Sequence, residues 1–237
     1  MERIYAEAAR ENRRLILEMM EPRPGCVFLD IGCADGSDTV PLMRRVEPAH
    51  TIGLELADQF IDAARAKGID VRQTDIAQRW PLDDESVDAV HSNQVIEHVA
   101  ETDRFMREIR RVLRRDGYAV VSTNNLASWH NVAALIAGLQ PLPAHVSDEA
   151  VVGNPLALEE HAYGEGIHRH LRIFTGRALG ALAEAHGLRV DKAIGSGYYP
   201  LPARAARVMA RADPRHAVYL IQRYSRGPDG SAGAAGG

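Results

Sequence analysis

Apolar and polar positions alternate with a regular rhythm over the first half of the chain. Short apolar runs bounded by turn-forming or charged residues have the length of buried β-strands. Five such runs follow one another, at residues 26–31, 51–56, 68–75, 86–93 and 118–123. The segments between them repeat apolar residues at helical spacing, as Phe105, Ile109 and Val112 do within residues 101–114. The pattern predicts β-strands that alternate with α-helices.

This alternation is typical of an α/β fold with a mostly parallel sheet covered by helices on both faces. An amphipathic helix at residues 3–20 precedes the first strand. A helix at 175–186 and strands at 188–195 and 216–225 follow the regular part. We therefore predict one doubly wound domain over residues 1–225, with its ligand site at the carboxyl ends of the strands.

Two segments depart from the rhythm. Residues 126–174 begin with a helical pattern and continue as a long polar stretch rich in proline, glycine and histidine. A stretch of that length between regular elements is typical of a lid or a binding loop, so we predict an insertion or lid beside the ligand site. Residues 226–237 have little apolar content, and we predict a flexible tail.

Composition and charge narrow the classes of function. Of the 237 residues, 46% are hydrophobic and 25% are charged, with a formal net charge of −4. Proteins that bind mainly nucleic acid are usually basic, so we expect no such partner. No apolar run approaches the roughly 20 residues of a membrane span, and the N-terminal segment is too charged for a signal peptide. We expect a cytoplasmic protein without a membrane partner.

The two cysteines, Cys26 and Cys33, stand at opposite ends of one predicted strand and its turn. Because a strand rises about 3.3 Å per residue, they are too far apart for a disulfide. Neither belongs to a CxxC pair, so zinc ligation is not expected either.

The first strand ends in Asp30 and runs into a turn with almost no side chains, Gly32-Cys33-Ala34-Asp35-Gly36. Glycines at both ends of the turn allow unusual dihedrals and a close approach of a ligand to the backbone. The spacing is not the G-x-G-x-x-G of a dinucleotide site. An acid at the strand end repels phosphate, so the turn favours a cationic ligand group such as an amine or a sulfonium.

Two further acids follow the next two strands. Glu55 lies about 20 residues beyond the glycine turn, a position suited to the two hydroxyls of a ribose. Asp75 follows the third strand and is placed to meet an adenine amino group. Each acid alone could be a helix cap. Three acids at three consecutive strand ends, beside a glycine turn, favour a nucleoside ligand with a cationic group.

These residues, together with the segment PLDDESVDAVHSNQVIEHV, resemble the class I S-adenosylmethionine-dependent methyltransferases, in particular the type 11-like branch that modifies small molecules. The segment LRRDGYAVVST resembles the L-[KR]-P-G-G region of that family. The resemblance covers roughly residues 20–124. The chain departs from the family at Ala34, where glycine is usual, and at Arg115-Asp116, where Pro-Gly is usual.

The resemblance implies a seven-stranded, mostly parallel sheet whose last strand is antiparallel. It implies that S-adenosyl-L-methionine is the cofactor and S-adenosyl-L-homocysteine the product. The residues it assigns to the cofactor are Asp30, Gly32, Cys33, Ala34 and Gly36 for the methionine part, Glu55 and Leu56 for the ribose, Asp75 and Ile76 for the adenine, and Asn93 near the methyl group.

Methyl transfer requires chiefly that the acceptor be held in line with the methyl carbon while water is excluded. For a hydroxyl acceptor a base speeds the reaction, and histidine titrates in a suitable range. The candidates are His98 in VIEHV, and His168 and His170 in HRHLR. A structural or cofactor-side role for His98, and an exposed polar segment for the other two, are the competing interpretations. No carboxylates bracket HRHLR at metal-ligand spacing, so no metal ion is expected.

The end of the fourth strand narrows the acceptor. It reads HSNQ rather than the [DN]-P-P-[YF] motif that resembles amino methylation of bases in nucleic acid. This favours a small-molecule acceptor. A hydroxyl of a natural product or a sugar comes first, and an amine or a carbon stays open, as does a homodimer.

Three other functions are considered. A nicotinamide dehydrogenase shares the sheet and the acid after the second strand, but it needs a diphosphate turn and leaves Asp30 without a role. A nucleic-acid methyltransferase is disfavoured by the charge and by HSNQ. A protein that binds S-adenosylmethionine without transferring its methyl group fits the same residues, because catalysis here rests mostly on geometry.

Overall fold

A seven-stranded β-sheet runs through the computed structural model. The structure describes residues 2–147, 150, 152–155 and 170–228, and it describes residues 2–5 by their backbone only. Its strands are β1 (Val27–Ile31), β2 (His50–Glu55), β3 (Asp70–Gln73), β4 (Val87–Asn93), β5 (Leu113–Asn124), β6 (Leu188–Ser196) and β7 (Tyr219–Arg226). Across the sheet they are ordered β3-β2-β1-β4-β5-β7-β6.

The strands from β1 to β5 run parallel to one another, and β7 runs against both of its neighbours, β5 and β6. The register places Ile31 at the end of β1 opposite Leu54 of β2 and Ser92 of β4. The carboxyl ends of these three strands therefore lie side by side at one edge. The predicted doubly wound sheet with an antiparallel last strand is confirmed.

Helices cover both faces of the sheet. They are α1 (Glu2–Met19), α2 (Thr39–Val46), α3 (Asp58–Arg65), α4 (Thr102–Val112), α5 (Trp129–Ile136), α6 (Gly176–Ala185) and α7 (Ala203–Ala212). The larger apolar cluster joins the sheet to α4 and α6 through residues such as Phe105, Ile109 and Leu179. A second cluster joins the opposite face to α1 and α2 through residues such as Ile16 and Leu42. Burial of these two apolar faces is what holds the layers together.

The strand β5 starts earlier than its apolar pattern predicts. Leu113 already pairs with Val87, and the register then shifts so that Tyr118 pairs with Ala89. The extra residues between Leu113 and Tyr118 form a bulge, and Gly117 is required there because a Cβ would stand 2.9 Å from the carbonyl oxygen of Asp88. The departure from the family pattern at Arg115-Asp116 falls inside this bulge.

The helix α7 was not predicted from the sequence. Its buried residues are the small Ala206 and Ala210, whereas its larger apolar residues Val208 and Met209 are exposed, so no stripe of large apolar side chains marks the buried face. The sequence pattern predicts a tail from residue 226, whereas Arg226 is the last residue of β7. Its Nη1 donates to Oε1 of Glu85 at 2.7 Å. The tail beyond residue 228 lies outside the described residues.

The segment predicted as a lid is described in part. Its two ends meet, since Asn125 and Phe174 form a parallel bridge and the N–H of Leu126 donates to the Phe174 carbonyl at 2.9 Å. Residues 156–169, which include His168, are outside the described residues, so the lid stays a prediction. In the part of the chain that the structure describes, no helix has both the length and the apolar character needed to cross a bilayer.

Candidate active site

The glycine turn after β1 lies at the edge where the parallel strands end. Gly32 (φ 70°) and Gly36 (φ 79°) have left-handed backbone, which glycine adopts without steric cost. A Cβ on Gly32 would stand 2.6 Å from Cγ2 of Val95, and one on Gly36 would stand 2.5 Å from Cδ1 of Ile69. A larger residue at either position would therefore clash with its neighbours. Gly32 is exposed, so a ligand can reach its backbone.

Ala34, which replaces the glycine usual in this position, also adopts a left-handed φ of 44°. Its N–H donates to Oε2 of Glu55 at 2.9 Å, which ties the turn to the end of β2. Cys33 is buried under the turn, and this burial, with the charge of Asp30, raises the pKa of its thiol to about 12. Cys26 and Cys33 are both free, as predicted.

Asp30 lies beneath the turn, with 3% of its surface exposed. Its Oδ2 accepts a hydrogen bond from Oγ1 of Thr39 at 2.5 Å, and its Oδ1 is 2.7 Å from Nδ1 of His91. Both carboxylate oxygens are thus engaged by side chains of α2 and β4. Asp30 thus ties the end of β1 to α2 and β4, and its contact with a cationic ligand group stays a prediction.

Glu55 ends β2 and is half-buried. Besides the bond from Ala34, its Oε1 accepts hydrogen bonds from the backbone N–H groups of Leu56 and Ala57, each at 2.9 Å. A carboxylate has about four acceptor sites, so these three bonds leave room for a further donor. Leu56, the next residue, is 50% exposed, so the surface beside Glu55 is apolar and accessible to a ligand.

Asp75 follows β3 and is exposed. Its Oδ1 accepts a hydrogen bond from the N–H of Ala77 at 2.9 Å, a local turn that orients the carboxylate. Ile76 packs against the larger apolar cluster, and its carbonyl accepts a bond from Nε1 of Trp80 at 3.0 Å. The structure thus brings all three strand-end acids to the same edge of the sheet.

Asn93 ends β4 and is held by a residue that sequence analysis missed. Nδ2 of Asn12, in α1, donates to Oδ1 of Asn93 at 2.9 Å and to Oγ of Ser122 at 3.1 Å. Asn12 is buried and lies four residues from Ala8 and from Ile16, on the face of α1 that packs on the sheet. A polar residue on that apolar face was the signal that could have found it.

The candidate histidines lie beyond the end of β4. His98 and His170 are both half-buried, with ring centroids 4.8 Å apart, whereas His168 is outside the described residues. Nδ1 of His170 lies 3.0 Å from the carbonyl oxygen of Pro143. Burial lowers the pKa of His170 to about 4, so the ring is neutral near pH 7.

Glu97 completes this group, and we call Glu97, His98 and His170 the Glu97 cluster. Glu97 is fully buried, which raises its pKa to about 7, and its Oε2 accepts a hydrogen bond from Oγ1 of Thr123 at 2.8 Å. The ligand-type atoms of the three side chains all lie within 4.8 Å of one another. Sequence analysis missed Glu97 as a partner of His170 because the two are far apart in the sequence.

The edge also contains buried polar atoms that have no partner in the part of the chain that the structure describes. Oγ of Ser92 and Nε2 of Gln94 are buried without a hydrogen-bond partner among the described residues. Buried polar atoms normally have a partner, so these two suit a polar ligand. The three strand-end carboxylates repel a diphosphate and attract a cation that carries hydroxyl and amino donors. These residues fit S-adenosylmethionine.

Residues 29–121, from β1 into β5, match a family model described as a methyltransferase domain. The chain carries a class I S-adenosylmethionine-dependent methyltransferase domain. S-adenosylmethionine is therefore its cofactor, as the resemblance implied. The alternative of a nicotinamide dehydrogenase is wrong.

Relatives of this methyltransferase domain are known from bacteria. A Mycolicibacterium smegmatis protein named "probable S-adenosylmethionine-dependent methyltransferase" is 38% identical over 164 residues, which are 67% of this chain and 59% of that protein. The ubiquinone biosynthesis O-methyltransferase of Rhodopseudomonas palustris is 31% identical over 155 residues, which are 60% of this chain and 58% of that protein. The chain spans about half the length of the curated relatives it matches.

Solved structures resemble the methyltransferase domain as well. A chain from the complex between the Haloferax volcanii Trm112 methyltransferase activator and a methyltransferase matches with a TM-score of 0.65 and 18% identity, covering 95% of this chain and 94% of that one. At this identity the likeness shows the fold alone.

Proposed function

We propose that this chain transfers a methyl group from S-adenosylmethionine to a hydroxyl group of a small molecule. The observation that carries the acceptor class is the Glu97 cluster, which puts two imidazoles and a buried carboxylate just beyond the end of β4. A hydroxyl must lose its proton to become a strong nucleophile, and such a cluster can assist that loss. The O-methyltransferase name of the Rhodopseudomonas palustris relative supports the same acceptor.

For the cofactor, we assign the exposed backbone of the turn to the methionine part, with Asp30 acting by its charge from beneath. Glu55 accepts the ribose hydroxyls beside Leu56, and Asp75 with Ile76 binds the adenine. Asn93 lies near the methyl group and is held in place by Asn12. The remaining members of the turn, Gly32, Cys33, Ala34 and Gly36, shape the backbone that the ligand touches.

Methyl transfer requires little of the protein beyond the positioning of the methyl donor and the acceptor. S-adenosylmethionine, when bound, supplies a methyl group on a sulfonium centre with a good leaving group. The strand-end residues hold that end of the site, while the Glu97 cluster holds the acceptor oxygen and takes part in removing its proton. Holding the acceptor at attack distance and excluding water provide the larger part of the rate.

The small-molecule class of the acceptor rests on charge and on the end of β4. The formal net charge of −4 does not favour a polyanionic partner. The end of β4 continues as Asn93-Gln94, without the proline pair of the base-modifying motif. The residues between α5 and α6 contribute the acceptor side, as the predicted lid.

The proposal is tested first by calorimetric titration of the purified chain with S-adenosylmethionine. We expect Glu55→Ala to weaken binding about 10-fold or more, because hydrogen bonds to a charged group contribute about 1.5–3 kcal/mol each. Glu184→Ala, an exposed acid of α6, is the matched control and should bind as the unaltered chain does. Equal binding by both variants would remove Glu55 from the site.

The acceptor is tested with a panel of phenols, sugars, amines and activated carbon acids, with S-adenosylhomocysteine formation as the readout. Turnover with hydroxyl acceptors supports the proposal, and turnover with amines or carbon acids alone contradicts it. Tight cofactor binding without turnover over the whole panel would favour a protein that binds S-adenosylmethionine without transferring its methyl group.

A further inference from the structure

The Glu97 cluster joins one carboxylate and two imidazoles from distant parts of the chain. Glu97 and His98 belong to the short 3-10 turn after β4, and His170 comes from the segment that leads to α6. The backbone holds the two parts together, since the N–H groups of Leu171 and Arg172 donate to the Glu97 carbonyl at 2.7 and 3.2 Å. The guanidinium of Arg172 also donates to the carbonyl of Val99 at 3.3 Å.

The side chains are oriented by a second layer of contacts. Nδ1 of His170 donates to the Pro143 carbonyl, because a carbonyl can only accept, and this fixes the tautomer with a lone pair on Nε2. That lone pair faces Nδ2 of Asn124 at a long 3.5 Å, a contact that a bound ion would replace. The carboxylate of Glu97 is held by Thr123 at 2.8 Å and by the amide of Asn124 at 3.4 Å. Histidine ligands of metals are oriented in the same way, by a hydrogen bond at the opposite ring nitrogen.

We propose that Glu97, His98 and His170 bind one divalent first-row transition-metal ion. Imidazole nitrogens with one carboxylate suit zinc, manganese, iron or cobalt, whereas magnesium and calcium prefer all-oxygen sites. Three protein ligands leave coordination positions open, as in catalytic rather than structural zinc sites. The further role of the ion, to receive the acceptor oxygen at an open position, rests on the proposed function.

The ligand atoms of the three side chains lie farther apart than they would around a bound ion. Their ligand atoms lie within 4.8 Å of one another, while bonds of about 2.1 Å in tetrahedral geometry put ligand atoms roughly 3.4 Å apart. The cluster must contract on binding. His98 and His170 are only half-buried, so small rotations of the two rings can supply the movement while the fully buried Glu97 stays in place.

The test is metal titration of the full chain after dialysis against a chelator, without S-adenosylmethionine. We expect one equivalent of Zn²⁺ by calorimetry and one equivalent of Co²⁺ by its visible absorption, with no comparable binding of Mg²⁺. Glu97→Gln and His98→Asn should each weaken binding by at least about 10-fold. His50→Asn is the control, because His50 is an exposed histidine at the start of β2 and should not matter.

Circular dichroism checks that each variant is folded. Two variants of the cluster are used, so that the test can still be made if one of them does not fold. No stoichiometric binding, or binding that all three variants retain equally, would overturn the metal site. Because the titration contains no cofactor, its result is separate from that of the Glu55 experiment. A metal site in a chain that does not bind S-adenosylmethionine would refute the proposed function and leave the site standing.

Discussion

Asp30 shows how far a single residue could be understood from its neighbours in the sequence. Its position at the end of an apolar run marked it as part of the site, because strand ends are visible in the local pattern. Its partners were not visible, since Thr39 and His91 come from the next helix and from another strand. The sequence could therefore locate the carboxylate, while only the structure shows that both oxygens are already engaged.

The backbone at Ala34 gives a prediction about stability at the same scale. Ala34 has a φ of 44°, a conformation that costs a residue with a Cβ about 1–2 kcal/mol, whereas glycine loses about 0.5–1 kcal/mol of chain entropy. We expect Ala34→Gly to stabilise the protein by about 0.5 kcal/mol, measured by urea denaturation. Ala63, an exposed residue inside α3, is the control: Ala63→Gly should destabilise by about 0.5–1 kcal/mol. Changes of the same sign in both variants would contradict this account.

At the scale of elements, the strands and most helices followed from their apolar periods, because each one buries a single stripe or face. The apolar periods did not predict α7, because its buried side chains are small. They also did not predict the early start of β5, because the strand continues through the polar residues of its bulge. The apolar face of α1 was visible in the sequence, but the hydrogen bonds from Asn12 of α1 to Asn93 of β4 and Ser122 of β5 were not.

That amide supplies a prediction for the N-terminal helix. Asn12→Ala leaves Asn93 and Ser122 without their shared partner, a loss of about 2 kcal/mol, offset by about 0.5 kcal/mol from the higher helix propensity of alanine. We expect a net loss of about 1.5 kcal/mol in the free energy of unfolding, measured in urea. Arg10→Ala, at an exposed position of the same helix, should change it by less than about 0.5 kcal/mol. If Asn12→Ala and Arg10→Ala lowered the free energy of unfolding by the same small amount, water would have replaced the Asn12 amide.

At the scale of the whole molecule, the order of the strands could not be worked out from the periods of the sequence. Apolar patterns indicate that strands exist, but they carry no record of which strand lies next to which. The resemblance to a family supplied the antiparallel last strand, and the structure confirms it. The same limit applied to the Glu97 cluster, whose members meet only because the segment before α6 returns to the end of β4.

The inner position of β7 predicts how the chain responds to truncation. β7 pairs along its length with β5 on one side and β6 on the other, so its removal leaves two unpaired edges. We expect a chain that ends at Ala217 to show no cooperative melting by circular dichroism. A chain that ends at Pro228 should melt at the temperature of the full chain, because β7 is complete. Cooperative melting of the shorter chain would contradict the prediction.

The same position has a consequence for biosynthesis. Of the strands in this sheet, β7 is the last to leave the ribosome, yet it fills the gap between two strands made earlier. Until it emerges, the nascent chain exposes an apolar strand edge on β5, which is the kind of surface that pairs with other chains. Ribosome stalling shortly before residue 219 would therefore release an aggregation-prone chain, although every residue assigned to the cofactor had already been made.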